Sequence, residues 1–228
     1  MGIHDGHRER LREHFLDKGV DGFTTVAALE FLLQFAIPRR DTNPIAHALL
    51  DTFGSLKDIF KASEQQLCQV PGVGPNAAAL IMLVPQILRR SEIDKVTELV
   101  TIPDRKTARE YLRPFFMNEQ NEVAYLLCLD VQQRPTKCVE IGRGGVDGLI
   151  FDPRLAVELA LKYMSSSVYI AHNHPLGPAK NSKEDDLTTQ QMMRLFQQLG
   201  IHLIDHFIYC PEGVFSYASC GALKLLEY

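Results

Sequence analysis

Several common targeting signals are missing from this sequence. Its 228 residues contain no apolar run close to the roughly 20 residues that cross a bilayer. The charged first stretch, MGIHDGHRERLREHF, lacks the apolar centre of a secretory signal peptide. We therefore expect a cytoplasmic protein with no membrane association.

Cysteine is sparse and follows no pattern. The five cysteines are an odd number and form no CxxC pair: Cys68, Cys128, Cys138, Cys210 and Cys220. This favours free thiols in a reducing compartment over disulfides, and it makes a zinc finger of the usual cysteine type a poor interpretation.

An excess of positive charge is missing too. The net charge is -4; residues 1–100 carry 11 Lys and Arg against 13 Asp and Glu, and the remaining residues carry 13 against 15. The chain is therefore not a general binder of polyanions, and any contact with nucleic acid must come from a local patch.

What is present divides the chain into two domains. Apolar residues make up 46% of it, which is enough for real cores. Residues 1–100 show helical spacing and no period-2 alternation, which predicts an all-helical domain. Residues 101–228 mix apolar strands with helices, without strict βαβ repetition. They predict a mixed sheet with helices, so the fold class is α+β.

The stretch SEQQLCQVPGVGPNAAALIMLVPQILRR, at about residues 63–90, has the pattern of a helix-hairpin-helix. Its Gly72 and Gly74 would let the backbone approach a phosphate and point N–H groups at it. Such a module makes weak contact with the DNA backbone without reading bases. A compact helical hairpin with no ligand is the alternative.

Basic residues give this hairpin little support. Asn76 stands where a lysine would add attraction for phosphate. Arg89 and Arg90 come only at the far end of the following helix, which Pro85 is expected to kink or break.

The clearest chemical motif is YIAHNHPLGPAKNSKEDD, residues 169–186. His172 and His174 stand two apart at a strand end, so both point to one face and could share an ion. If Ser182 caps the next helix, Asp185 falls in its first turn and can point back toward the histidines. Two imidazoles, a carboxylate and an open position are typical of catalytic zinc, and would also fit non-haem iron. Ser182 and Asp185 could instead be capping residues only.

The motif H-x-H, ten residues, then D, with an embedded S-x-x-D, resembles the JAMM signature of MPN-fold metalloproteases. Together with the helix-hairpin-helix half, the stretches CLD, HNHP, SKED and IDHFI resemble the bacterial RadC family over nearly the whole chain. The resemblance implies one zinc ion per chain, held by His172, His174 and Asp185, with a zinc-activated water as nucleophile.

The resemblance also implies a glutamate on a preceding strand that acts as general base. Glu140, in VEIGRGG, is at the matching position, and Ser182 would then help to stabilise the oxyanion. Glu158, in the middle of a helix, is the competing candidate for the base. His206, in IDHFI, is interpreted as a hydrogen-bonded structural histidine.

The chain departs from the family pattern at three positions. They are Leu176, Gly145 and Asn76. None is an expected zinc ligand, so zinc binding is still expected, while substrate loops and DNA contact receive less support.

Two functions follow from these motifs. The first is a zinc metallopeptidase or isopeptidase acting on a peptide or protein substrate. The second, suggested by the family's description as DNA repair proteins, is a protein that binds or processes nucleic acid and whose metal is structural or serves a nuclease. A scaffold with an inactive site is disfavoured because each ligand position is filled. The sequence leaves the substrate and the oligomeric state open.

Overall fold

The computed structural model describes residues 3–144, 152–178 and 180–223. Gly145, one of the departures from the family pattern, lies outside them. The chain divides into two compact units, Met1–Leu88 and Arg89–Tyr228. The domain boundary near residue 100 remains a prediction, because it rests on the change of sequence pattern alone.

The described part of the first unit is helical. Its helices are α1 (Ile3–Lys18), α2 (Thr25–Leu33), α3 (Asn43–Phe53), α4 (Leu56–Ile59), α5 (Glu64–Cys68) and α6 (Pro75–Thr97), the last of which continues into the second unit. Ser63 caps α5 through the expected capping box with Gln66. A core of fully buried residues includes Leu33, Leu49 and Ile81.

Helix α6 does not break at Pro85. It runs on to Thr97, seven residues past the expected end at Arg90. Proline removes one backbone hydrogen bond from a helix, and Pro85 is a buried residue within this continuous helix.

The second unit contains a mixed sheet. Among the described residues its strands have the order β2-β1-β3-β4-β5. They are β1 (Val123–Leu129), β2 (Pro135–Arg143), β3 (Ser167–Asn173), β4 (His202–Cys210) and β5 (Gly213–Ser216). Only β3 and β4 pair in parallel, and the other described neighbours are antiparallel. This mixed arrangement confirms the α+β prediction.

Helices cover both faces of the sheet. They are α7 (Arg105–Leu112), α8 (Pro153–Lys162) and α9 (Lys183–Gln198). One face, called here the α7 face, packs Tyr125, Leu127, Tyr169 and Ala171 against Ala108 and Leu112. The opposite face, called here the α8–α9 face, packs Ala124, Leu126, Val168 and Ile170 against Ala156, Ala160, Met192 and Phe196. Every residue of β1 and β3 is buried, as expected for central strands covered on both sides.

Within the described residues, no helix combines the length and the apolar character that a membrane crossing requires.

Candidate metal centre

Strand β3 places His172 and His174 on one face. His172 pairs with Ala124 of β1, so its side chain lies on the α8–α9 face. The backbone N–H of His174 donates to the carbonyl of Tyr209 at 2.7 Å, which continues the ladder beyond the end of β3. The extended backbone therefore keeps the side chains of both histidines on the same face of the sheet, as their spacing predicted.

The loop after β3 turns tightly around His174. A Cβ atom added at Gly177 would lie 3.1 Å from the Cβ of His174, so a larger residue would require this close approach to open by a few tenths of an ångström. The ring Nδ1 of His174 is 3.4 Å from the carbonyl oxygen of Pro178. If Nδ1 carries the proton, Nε2 is left with its lone pair facing the site. Leu176 in the same loop is 99% exposed.

Helix α9 supplies the carboxylate. The hydroxyl of Ser182 accepts the N–H of Asp185 at 3.0 Å, and Asp185 Oδ2 accepts the N–H of Ser182 at 2.8 Å. This capping box was predicted, and it fixes the Asp185 side chain at the start of the helix. Oδ2 is held by the cap, and Oδ1 is the oxygen directed at His172.

Three donor atoms converge in front of the strand end. His172 Nε2 lies 3.0 Å from His174 Nε2 and 3.1 Å from Asp185 Oδ1. His174 Nε2 is 3.6 Å from Asp185 Oδ2. Ligands at zinc distances around a tetrahedral ion stand about 3.3 Å apart. The three residues therefore fit a single metal ion, and their donor set suits zinc.

The carboxylate is prepared for a cation. Burial opposes ionisation of Asp185, but the hydrogen bond and charge of His172 and the bonds from Ser182 outweigh it, and the pKa lies well below its ordinary value. Asp185 is therefore a carboxylate at neutral pH, as a metal ligand must be.

Three residues that the sequence did not assign to the site lie behind it. His206 Nε2 is 2.8 Å from His172 Nδ1, and His206 Nδ1 is 2.6 Å from Thr189 Oγ1. Tyr217 stacks on the His206 ring with centroids 5.1 Å apart and an interplanar angle of 7°. Burial and the nearby His172 lower the pKa of His206 well below its ordinary value, so this imidazole is neutral. The interpretation of His206 as hydrogen-bonded fits these contacts.

Comparison with known proteins supplies the family. A RadC-like JAB domain model matches residues 102–222. A UPF0758 protein of Fusobacterium nucleatum is 34% identical over 96% of this chain and 97% of its own length. A UPF0758 protein of Burkholderia cenocepacia is 31% identical over 96% of this chain and 85% of its own length. The chain belongs to the RadC family. JAB domains usually have hydrolase-like folds and generally bind zinc, in agreement with the His–His–Asp group.

The structure does not bring Glu140 to the zinc site expected of a RadC-family protein. Glu140 pairs with Tyr125, which pairs on its other side with Ala171, so Glu140 belongs to the α7 face. There its carboxylate accepts two hydrogen bonds from Arg143, at 2.9 and 2.7 Å. The sheet itself separates Glu140 from His172, and this placement does not support Glu140 as the general base.

Glu122 is the carboxylate that sequence reasoning missed. Ala124 pairs with His172 in an antiparallel ladder, so continued pairing sets Glu122 across from His174 and on the same face. The backbone carbonyl of Glu122 accepts the N–H of Gly144 at 2.7 Å, which continues the β1–β2 ladder to this residue. The available signal was a glutamate directly before the buried strand, in NEVAYLLCLD.

Asn173, between the two histidines, holds the backbone on both sides of Glu122. Its Oδ1 accepts the N–H of Val123 at 2.7 Å, and its Nδ2 donates to the carbonyl of Asn121 at 3.0 Å. Asn173 is buried, with only 4% of its surface exposed. It therefore extends the β1–β3 ladder by a side-chain bridge.

The other expected catalytic residues remain predictions. Glu158 is exposed on α8, between Ala156 and Ala160, which face the sheet core. Ser182 Oγ donates to Asp185 Oδ2 at 2.7 Å, so the hydroxyl proton is used by the cap. As an oxyanion donor, Ser182 would have to release that bond.

The hairpin of the first unit also has a family match. A SAM-like helix-hairpin-helix tandem matches residues 44–84, beginning earlier than the sequence pattern indicated. Gly72 has a φ of +94°, which residues with a side chain rarely adopt, and a Cβ there would lie 2.8 Å from Ile45 Cδ1, so backbone conformation and packing together favour glycine. Gly74 has open space around its Cα, so packing does not require it. The Arg40 guanidinium lies 3.8 Å from the Cβ position of Gly72, a basic group that the sequence did not reveal.

Arg89 does not serve the hairpin. Its guanidinium contacts Glu119 at 2.6 Å and donates to the carbonyl of Phe115 at 2.7 Å, both within the second unit.

Proposed function

We propose that this RadC-family chain is a zinc-dependent hydrolase of peptide or isopeptide bonds. The zinc would be held by Nε2 of His172, Nε2 of His174 and Oδ1 of Asp185. The observation that carries the proposal is the approach of these three atoms, with His172 Nε2 at 3.0 and 3.1 Å from the other two. Three protein ligands leave one tetrahedral position open, which is typical of catalytic sites rather than structural ones.

Zinc, when bound, would polarise a carbonyl group and acidify a water molecule toward neutrality. The protein residues would do the remaining work. The β1–β3 register, continued two residues beyond the pair of Ala124 and His172, would set Glu122 across from His174, so we assign it the role of general base in place of Glu140. It would take a proton from the attacking water and pass it to the leaving amine nitrogen as the C–N bond breaks.

Ser182 would assist at the oxyanion. Ser182 is exposed, and its hydroxyl lies 2.7 Å from Asp185 Oδ2. Turning the hydroxyl from Oδ2 toward the substrate would direct its proton at the developing negative charge. The backbone N–H of Ser182 keeps its bond to Oδ2, so Asp185 would stay in place.

Metal analysis of the purified protein tests the proposal. We expect about one zinc per chain, loss of zinc in His174→Ala, and retention of zinc in His202→Ala, which removes an exposed histidine at the start of β4. Hydrolysis of a panel of peptide- and isopeptide-linked substrates should stop with chelator and return with zinc. Absence of zinc from the unmutated protein would overturn the site assignment.

A second activity is favoured by the helix-hairpin-helix match. We propose that Gly72, Gly74 and Arg40 form a weak, sequence-independent contact with a DNA phosphate. Binding of duplex DNA, followed by anisotropy at several salt concentrations, should weaken in Arg40→Ala, with a salt slope smaller by about 1. Arg154→Ala, which removes an exposed arginine of the second unit, is the control. Equal binding by both variants would contradict this contact.

A further inference from the structure

The turn that follows α2 is held by one arginine of α1. The guanidinium of Arg8 donates to the carbonyl of Gln34 at 3.2 Å and to the carbonyls of Ile37 and Arg40 at 2.7 Å each. Carbonyl groups at and just beyond the C-terminal end of a helix lack helical partners, and a positive charge is favourable there. Arg8 therefore fixes the path of the chain from Gln34 to Arg40.

An aromatic ring is exposed on this turn. Phe35 is 72% exposed, and its ring contacts Phe31 with centroids 5.2 Å apart and an interplanar angle of 77°. In an edge-to-face pair of this kind, at least one face of the Phe35 ring is free of Phe31. Phe31 is supported in turn by Phe15 and Phe23, with ring centroids 5.1 and 5.8 Å away. Phe35 is thus an open ring on a packed aromatic cluster.

A cleft of about 390 Å³ opens beside this ring. It is lined by Arg8, Glu9, Arg12, Phe31, Gln34 and Phe35. Sites for small organic groups usually have volumes of about 300–1,000 Å³, so the cleft is large enough for a nucleobase.

The charge around the cleft is positive. The arginines that line it or belong to the turn are Arg8, Arg12, Arg39 and Arg40. Two carboxylates lie among them, and both have partners: Glu9 accepts a hydrogen bond from Arg12 at 3.2 Å, and Asp41 accepts the backbone N–H of Asn43 at 3.0 Å. The excess of positive charge complements a phosphate backbone.

The same turn leads from the cleft to the hairpin. The carbonyl of Arg40 accepts from Arg8, and the guanidinium of Arg40 lies 3.8 Å from the Cβ position of Gly72. A strand with a phosphate at Arg40 can therefore extend past Arg8 toward the ring of Phe35. All these residues belong to the first unit.

We propose that this cleft binds single-stranded DNA, with one base stacked on Phe35 and a nearby phosphate at Arg40. This rests on the proposed contact of the hairpin with DNA and adds the preferred form of the ligand. In a duplex the faces of the bases are covered by their neighbours, so an aromatic side chain can stack only on unpaired bases. An apolar peptide would also cover Phe35, but the excess of arginine favours the nucleic acid.

Tryptophan fluorescence gives the direct test. The chain contains no tryptophan, so Phe35→Trp introduces a single fluorophore at the stacking position. Its emission should be strongly quenched when a single-stranded oligothymidylate of about 12 nucleotides is added to the full chain at low salt. Leu16→Trp is the matched control, because Leu16 is 75% exposed in the same unit and does not line the cleft. Equal quenching in both variants, or none in Phe35→Trp, would overturn the inference.

Affinity gives the second reading, from anisotropy of the labelled oligothymidylate and of a labelled duplex. Phe35→Leu keeps an apolar side chain without the ring, and it should weaken single-strand binding by about 5- to 100-fold with little change for the duplex. Arg40→Ala should weaken binding of both forms, and Leu16→Ala should change neither. A loss in Phe35→Leu no larger than in Leu16→Ala would refute the stacking role.

The outcomes separate this site from the hairpin contact. If Arg40→Ala weakens duplex binding and Phe35→Leu leaves single-strand binding unchanged, the hairpin contact stands and the cleft assignment alone fails. If the unmutated chain binds neither form at low salt, both fail. Self-association without DNA that Phe35→Leu abolishes, measured by sedimentation velocity, would assign the cleft to a second copy of the chain and overturn the inference.

Discussion

Replacing Asn173 with alanine should destabilise the second unit by about 2–4 kcal/mol. The variant loses the bond from Val123 N–H at 2.7 Å and the bond to the Asn121 carbonyl at 3.0 Å. Val123 is 0% exposed, so its N–H would stay buried without a partner, at a cost of about 1–3 kcal/mol. Asn121 is exposed, so its carbonyl can turn to water and the loss there is about 1 kcal/mol.

The composition of the chain provides a selective assay. It contains no tryptophan, and all seven tyrosines lie within residues 111–228. Tyrosine fluorescence during urea unfolding therefore reports on the second unit alone. Both proteins should be metal-free, so that a change in metal affinity does not enter the measured stability.

Asn181→Ala is the matched control for this prediction. Asn181 makes one described side-chain bond, to Asp186 Oδ1 at 2.7 Å, in a partly exposed position. Its loss should cost about 1 kcal/mol or less. If Asn173→Ala were no more damaging than Asn181→Ala, the side-chain bridge that holds β1 beside Glu122 would be refuted.

Three further predictions follow from the same structure. Glu122→Gln should keep zinc and reduce the rate of hydrolysis by about 100-fold or more, as expected for loss of a general base, whereas Glu140→Gln should keep both zinc and activity. Zinc analysis and turnover of an identified substrate measure the two effects. Loss of activity in Glu140→Gln but not in Glu122→Gln would contradict the assignment of the two glutamates to opposite faces of the sheet. Gly72→Ala should lower the free energy of unfolding by roughly 1–3 kcal/mol, because the φ of Gly72 is +94°, whereas Gly74→Ala should change it little. Urea unfolding followed by far-ultraviolet circular dichroism measures both. Equal losses in the two variants would contradict the difference between the two glycines. The metal-free protein should lose stability as pH falls below about 6.5, because the unfolded chain protonates His206 there while burial and His172 keep its folded-state pKa lower. The slope should reach up to about 1.4 kcal/mol per pH unit and be shallower in His206→Gln, and an unchanged slope in that variant would contradict the assignment.

Local sequence was enough to find the three expected ligands. The alternation of a strand sets His172 and His174 on one face, and the S-x-x-D pattern sets Asp185 in the first turn of a helix. Both rules act over a few residues, so the printed sequence contains all the information they need. The ladder beyond β3 and the capping box in α9 bear out this local reasoning.

The base could not be chosen in the same way. Glu140 and Glu122 both stand beside apolar strands, and either could face the histidines in one of two registers. The ladder has a bulge between its Ala124 and Tyr125 pairings, and a shift of one residue moves a side chain to the other face of a sheet. The resemblance of VEIGRGG to the family pattern could not show which face of the sheet Glu140 occupies, because it does not give the pairing register.

By itself, the sequence determined the helical first half, the mixed sheet of the second and the His–His–Asp group, because hydrophobic period, caps and strand alternation are local. Only the tertiary structure decided which glutamate shares the face of His172, and that His206 lies behind it from a strand 34 residues away. These depend on the pairing of β1, β3 and β4. That pairing is set by the packing of both sheet faces against helices, which no single segment specifies.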